Sequence, residues 1–278
     1  MKSCEDFVSA KSDYFVYMPS VTAQQMFFYP LYTGHFFYDA GYTLHRDSYD
    51  SFLLIYILHG NLHFDFNGKK EIANEGSFVL LDCYRPHSYH TDIDCEVLWC
   101  HFDGVTARNF YNSIASRLGN VFYLTNPHPT VSKLTELYHV FSEGKPVKEA
   151  LLSKYINDIL TAFLLYSPIT IDTSDTPMSE RVISYIGEHF TNDISIDELA
   201  QVAGLSQYHF IRSFRRETGF TPHEYLINIR INTAKYLLKN SSLSIKDICY
   251  QAGFSCESVF CSTFKRQLQM TPTEYRNQ

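Results

Sequence analysis

The sequence predicts an α+β protein of two domains. An N-terminal β-sandwich or small barrel carries a helical appendage, and an all-α domain that writes one helix–turn–helix unit twice follows it. Three observations predict this. Short apolar runs punctuated by glycine fill the first hundred residues, amphipathic helical periodicity takes over from about Thr106, and a phrase near the C-terminus recurs at a nearly constant offset.

The strands come first. "FLLIYIL" (Phe52 to Leu58) and "SFVLL" (Ser77 to Leu81) are short apolar runs bounded by Gly60, Gly76 and Pro86. "NLHFDFNGKKEI" alternates Leu62, Phe64 and Phe66 with polar neighbours and then turns at Asn67-Gly68, a type I′ hairpin signal. Closely spaced short strands with glycine turns, over residues 14 to 103, define the β-domain, assigned to 1–105.

The helical appendage, 106–166, follows. "KLTELYHVFSEG" places Leu134, Leu137, Tyr138 and Phe141 on one face. "KEALLSKYINDILTAFLLY" places Leu151, Leu152, Tyr155, Ile159 and Phe163 or Leu164 on another. Such faces either form a dimer surface or pack back on the β-domain, and the pattern allows both. "SPITIDTSDTPM" lacks apolar periodicity and carries two prolines, so 167–177 reads as a linker to the domain at 178–278.

In that last domain "SIDELAQVAGLS" (195–206) matches "SIKDICYQAGFS" (244–255), and "FRRETGFTPHEY" (214–225) matches "FKRQLQMTPTEY" (264–275). Each copy is a short helix, a glycine turn and a second helix, giving units at about 195–217 and 244–267. "Thr-Pro-x-Glu" is a helix start in both, with a threonine cap, proline in the first helical position and a glutamate closing a capping box. Helix 222–239 joins the units, and its length of about 27 Å suits two readers in successive major grooves about 34 Å apart.

In such a unit the second helix enters the major groove. In the first copy Phe210, Phe214 and Ser213 are expected to pack inward. That leaves Gln207, Tyr208, Ile211, Arg212, Arg215 and Arg216 for DNA. Arg212 is the candidate guanine reader, because its planar fork pairs with O6 and N7 together. The corresponding outward set in the second copy is Glu257, Ser258, Cys261, Ser262 and Lys265, which is short of long donors; Glu257, Ser258, Ser262 and Lys265 are its candidates for DNA. A helical repeat that binds protein instead of DNA fits the same pattern.

Composition narrows the function. The net charge is −7, yet from Asp175 onward eleven basic residues balance eleven acidic ones. The negative charge therefore lies upstream, and any DNA-binding face arises from local clusters such as "RSFRRE". No apolar run could span a bilayer, and the N-terminus carries no secretory h-region, so a cytoplasmic protein is expected. Seven cysteines without CxxC or Cys/His zinc spacing read as reduced thiols. His45, His59, His63, His87, His90 and His101 include no His-x-His pair, and His87 and His90, three apart on a strand, face opposite ways. No metal, no cofactor and no enzymatic activity are expected.

The last hundred residues resemble the AraC/XylS family of transcriptional regulators. The resemblance rests on "SIDELAQVAGLSQYHFIRSFRRETGFTPHEYL", "RINTAKYLL" and "SIKDICYQAGFSCESVFCSTFKR…MTPTEYR". Upstream, "LHGNLHFDFNGKKEIANEGSFVLLDCYRPHSYH" followed by "LWCHFDG" is similar to the cupin-type jelly-roll effector domain of many of these regulators. The resemblance implies a double-stranded DNA operator, RNA polymerase contact, a homodimer, and an activator controlled by a small molecule, often a sugar. Arg46, His87, Tyr89 and Trp99 lie at positions similar to those lining the effector pocket in sugar-responsive relatives. Two alternatives accompany this reading: an N-terminal domain that only dimerises, and a metal-dependent cupin enzyme fused to a DNA-binding domain. Two positions depart from the family pattern. Ser262 stands where the second reading helix often has arginine, and Gln269 where a glycine usually ends that helix.

Overall fold

The structure, a computed structural model, describes residues 2, 5–66, 68–165 and 177–277. The expected linker at 167–177 falls almost wholly outside the described residues, as does Asn67 of the expected hairpin turn. The chain divides into two units, Met1–Ile171 and Asp172–Gln278, each with its own core.

Unit one runs β1 (Asp13–Val16), α1 (Val21–Met26), β2 (Phe28–Tyr38), β3 (Thr43–Arg46), β4 (Phe52–His59), β5 (Asn61–Phe66), β6 (Lys69–Asn74), β7 (Phe78–Asp82), β8 (His87–His90) and β9 (Cys95–Gly104). Then come α2 (Ala107–Leu118), β10 (Val121–Phe122), α3 (His128–Ser142) and α4 (Glu149–Leu165). Two antiparallel sheets form a jelly-roll sandwich: a six-stranded one ordered β1-β2-β9-β4-β7-β10 and a four-stranded one ordered β3-β8-β5-β6.

Why some strands are continuous apolar runs and others alternate follows from what covers each sheet. In β4, Leu53, Ile55 and Ile57 point between the sheets and meet Leu62, Phe64 and Phe66 of β5. Phe52 and Leu54 point the other way, where α2, α3 and α4 cover them. A sheet buried on both faces needs apolar side chains at every position. β5 belongs to the four-stranded sheet, whose outer face is bare, so His63 and Asp65 alternate with its buried residues.

The helices therefore bury their apolar faces on the six-stranded sheet. The buried face of α4 is Leu152, Ile156, Ile159, Leu160 and Phe163, rotated slightly from the predicted stripe; Leu151 and Tyr155 sit at its margin. In α3, Leu134, Leu137 and Val140 are buried, while Tyr138 and Phe141 pack sideways on Phe15 of β1. One ionic staple ties the sheet to α2. Asp82, with its side chain 1% exposed, accepts from Arg108 and lies 3.4 Å from Arg85, and Arg108 also stacks on Phe52 and Tyr84.

Unit two is helical: α5 (Met178–His189), α6 (Ile196–Ala203), α7 (Gln207–Thr218), α8 (Pro222–Asn240), α9 (Ile245–Gln251), α10 (Glu257–Leu268) and α11 (Pro272–Asn277). It contains two small cores. Val182, Ile186, Leu199, Phe210, Phe214 and Leu226 make the first. Ile231, Ala234, Leu238, Ile248, Phe260 and Phe264 make the second, so α8 supports α9 and α10 much as α5 supports α6 and α7. The capping boxes form. The Thr221 hydroxyl accepts from the Glu224 N–H at 3.2 Å and the Glu224 carboxylate accepts from the Thr221 N–H at 2.7 Å. Thr271 and Glu274 repeat both bonds at the same lengths.

Candidate nucleic-acid interface and ligand cup

α7 presents Gln207, Tyr208, His209, Arg212, Arg215 and Arg216 to solvent, with Phe210 and Phe214 locking its other face into the first core. Arg212 and Arg215 enter none of the ion pairs among the described residues, and Arg216 has only Glu217 at 3.6 Å. Long, exposed, uncommitted donors on one helix face are what base and phosphate recognition require. The Gln207 amide is held by Asp197 of α6, which fixes the start of the reading helix.

Ile211 departs from expectation. It is half-buried against the first core, because with Phe210 and Phe214 anchoring the helix, position 211 falls at the edge of the packed stripe. His209, which the sequence reading omitted, is exposed in its place. Arg212 three residues on and Arg216 seven residues on, both on the same helix face, were a signal available in the sequence.

α10 offers a different surface. Glu257, Ser258, Val259, Ser262, Lys265 and Arg266 are exposed, and Val259 and Arg266 had not been predicted. Its N-terminal half, the part that meets base edges in such units, carries an acid, a hydroxyl and a valine. The Ser262 hydroxyl already donates to the Val259 carbonyl at 3.1 Å. The helix ends, however, match. Gly219 closes α7 at φ +81° and Gln269 closes α10 at φ +59°, each donating its N–H one turn back, to Arg215 and Lys265. Replacing the expected glycine thus leaves the geometry of the end intact and places a side chain in a left-handed conformation that costs about 1 kcal/mol.

Unit one holds a cavity of about 490 Å³. Its walls are aromatic: Tyr32, Phe36 and Tyr38 at alternate positions of β2, Tyr89 of β8, Trp99 of β9, and Tyr42 and Tyr49 from loops. Arg46 lines it with its guanidinium 4.7 Å over the Tyr49 ring, and Glu5 lines it while accepting from the Tyr42 hydroxyl at 3.0 Å. Three of the four expected residues, Arg46, Tyr89 and Trp99, therefore meet in one cavity.

His87 does not line it. It is 2% exposed, its Nδ1 faces the Arg85 carbonyl at 2.9 Å, and burial lowers its pKa. As expected, His90 on the same strand faces outward. The imidazole that does line the cavity is His101, 5% exposed, with Nδ1 2.8 Å from the Ser51 hydroxyl. Burial foremost, with the Arg46 charge adding, pushes its pKa down to about 3, so it is neutral. The period-two run Tyr32, Phe36, Tyr38 was the sequence signal for this wall.

Gly34 fills the gap in that run. A Cβ there would stand 2.5 Å from the Trp99 indole, so the ring lies against bare backbone. The indole N–H is buried and has no hydrogen-bond partner among the described residues. Among the described residues no three His, Cys, Asp or Glu side chains converge on a metal-sized site, and no helix is long and apolar enough to cross a membrane.

A cavity-bearing β-domain and a duplicated helix–turn–helix domain with arginines on its first reading helix are the parts of a DNA-binding regulator with a ligand-binding domain. An AraC-like ligand binding domain model matches residues 32–157 and a helix-turn-helix domain model matches residues 199–278. The chain belongs to the AraC family of DNA-binding transcriptional regulators. The probable transcriptional regulator LumQ of Photobacterium leiognathi is 27% identical over 218 residues, 75% of this chain and 86% of that protein. The transcriptional activator RhaS of Enterobacter sp. (strain 638) is 24% identical over 242 residues, 84% of this chain and 86% of that protein. Some matched regulators are longer: a transcriptional regulator of Staphylococcus aureus (strain COL) is 26% identical over 240 residues, which are 82% of this chain but 31% of that protein. Among solved structures, the DNA-binding domain of AdpA in complex with a target DNA is 32% identical, covering 37% of this chain and 92% of that one, with a TM-score of 0.36.

Proposed function

We propose that this regulator reads its operator chiefly through α7, holds the neighbouring groove through backbone contacts from α10, and responds to a saccharide bound in the N-terminal cup. The observation that carries the reading is the contrast between the two exposed faces. Arg212 and Arg215 stand free on α7, whereas α10 offers Glu257, Ser258 and Ser262 in front of Lys265 and Arg266. A carboxylate at the start of a groove-facing helix opposes the phosphates, while the basic residues in its last turn suit them.

α8, with 19 residues, is about 28 Å long, which supports successive-groove engagement with some bending of the duplex. The aromatic walls and the Arg46 and Glu5 groups support a saccharide, held by stacking on its C–H face and hydrogen bonds to its hydroxyls. The protein acts in the cytoplasm as a homodimer and as an activator that contacts RNA polymerase; the similarity to an activator supports the sign of regulation. Because α3 and α4 spend their apolar faces on the sheet, the dimer surface is their half-exposed polar side.

Selection of sites from a random duplex pool by the full chain, followed by footprinting, tests this reading. Base preference is expected in the half-site under α7, with protection but little preference in the adjoining one. Equal base preference in both halves would overturn the asymmetry, and a footprint unmoved by any saccharide would overturn the sensing role.

A further inference from the structure

The polar groups of the cup specify more than a neutral sugar. Among the described residues lining the cavity, Arg46 is the one cation and Glu5 the one carboxylate. Among the described residues Arg46 enters no ion pair. Neighbouring Asp47 lies 3.6 Å from His45, and Asp82 is taken by Arg85 and Arg108. The contact that Arg46 does make is with the face of Tyr49. A guanidinium over a ring is held in place while its in-plane N–H donors remain available, a geometry matched to a carboxylate or phosphate.

The surroundings raise the value of an anion there. Burial foremost, with the Arg46 charge adding, keeps His101 unprotonated, so the imidazole that lines the cavity supplies no second cation. Glu5 accepts from Tyr42, whose ring stacks on Tyr38 at 4.0 Å. A carboxylate at the cavity wall is an acceptor for hydroxyl hydrogens. At about 490 Å³ the cavity falls within the range of about 300–1,000 Å³ for sites enclosing drug-sized ligands.

Resting on the reading of the cup as an effector site, we infer that its ligand is an acidic saccharide. Its carboxylate or phosphate pairs with Arg46, its hydroxyls donate to Glu5, and its ring lies against the Trp99 wall. The anionic group distinguishes effector from non-effector, because a neutral sugar leaves the guanidinium unpaired in a partly enclosed site.

Calorimetry and thermal-shift measurements on the full chain test this with paired probes. Glucuronate, galacturonate, glucose 6-phosphate and uronate-containing disaccharides are set against their neutral counterparts, with benzoate as an acid that lacks hydroxyls. At least one acidic saccharide is expected to bind about tenfold or more tightly than its neutral counterpart, as a charge-assisted contact gives. The preference is expected to weaken with added salt and to vanish in Arg46→Gln, whose own melting curve reports that it folds. Neutral sugars binding as well as acids, or a preference that survives Arg46→Gln, overturns the anionic assignment and leaves the saccharide cup standing. Benzoate binding while every saccharide is silent overturns the saccharide reading itself. Silence from the whole panel counts against both.

Discussion

Tyr225 stands edge-on to Phe214, ring centroids 5.7 Å apart and planes at 87°. Tyr275 stands in the same way to Phe264, at 5.6 Å and 75°. Each pair pins the helix that begins at a Thr-Pro-x-Glu cap onto the buried side of a reading helix. What the duplication preserved is thus the joint between helices, and what it let drift is the exposed side.

That drift gives the first prediction. Arg212→Ala should weaken binding to the selected operator by about 1–3 kcal/mol and relax one base position, as loss of a bidentate guanine contact does. Ser262→Ala should cost much less, because that hydroxyl is already engaged with Val259. Fluorescence anisotropy with matched and single-substituted duplexes checks both, and equal losses would contradict the asymmetry.

The helix ends give a second. Gln269 occupies a left-handed conformation at φ +59°. Gln269→Gly should therefore stabilise unit two by up to about 1 kcal/mol, the gain being reduced by the added freedom of glycine in the unfolded chain. Gly219→Ala at φ +81° should lose about 1 kcal/mol. Urea titration of the full chain, followed on the unit-two transition, measures the two opposite shifts.

Acid should destabilise unit one. The fold holds His101 at about 3 against the ordinary 6.5, with burial as the leading cause. Its uncharged form is favoured in the folded state, so the associated stability is present above about pH 6.5 and is lost as pH falls towards 3. Between pH 6.5 and 5 the loss from this group is about 2 kcal/mol, and the lowered His87 adds in the same direction. His101→Gln should flatten the dependence of the urea midpoint on pH in that interval; an unchanged slope would refute the assignment.

The ionic staple gives the fourth. Arg108→Ala leaves Asp82, 1% exposed, with only the solvent-facing Arg85 at 3.4 Å. With Asp82 buried but Arg108 42% exposed, removal of that partner should cost about 1–3 kcal/mol. Arg108→Ala with Asp82→Asn should recover part of it. Thermal melts of the two variants separate the charge effect from lost packing on Phe52 and Tyr84.

The helix–turn–helix repeat, its caps and the strand run at Leu62, Phe64 and Phe66 were legible in the sequence because each depends on spacing within one segment. The wall of the cup was legible only in part. Arg46, Tyr89 and Trp99 came from resemblance, while Glu5, Tyr42, Tyr49 and His101 reach the cavity from segments far apart in the chain. His87 was misjudged because period two says that a residue faces inward but not whether it meets the cavity or the packed layer beside it. Ile211 was misjudged for a similar reason: a helical period of 3.6 leaves marginal positions whose burial only the neighbouring helices decide. In α4 the predicted stripe erred by a fraction of a turn, since nearly every position of "ALLSKYINDILTAFLL" on that side is apolar.

Gly34 gives the cup a size gauge located behind its lining. The Trp99 ring can lie flat against β2 only because nothing projects from that backbone, with 2.5 Å available where a methyl would stand. A Gly34→Ala chain, whose Cβ would also crowd the Asp13 carbonyl at 2.7 Å, would push the indole forward and narrow the chamber without changing the identity of any group that touches ligand. Regulators built on this scaffold can therefore exchange one effector for a smaller one by a change at the rear wall, leaving the recognition chemistry in front of it untouched.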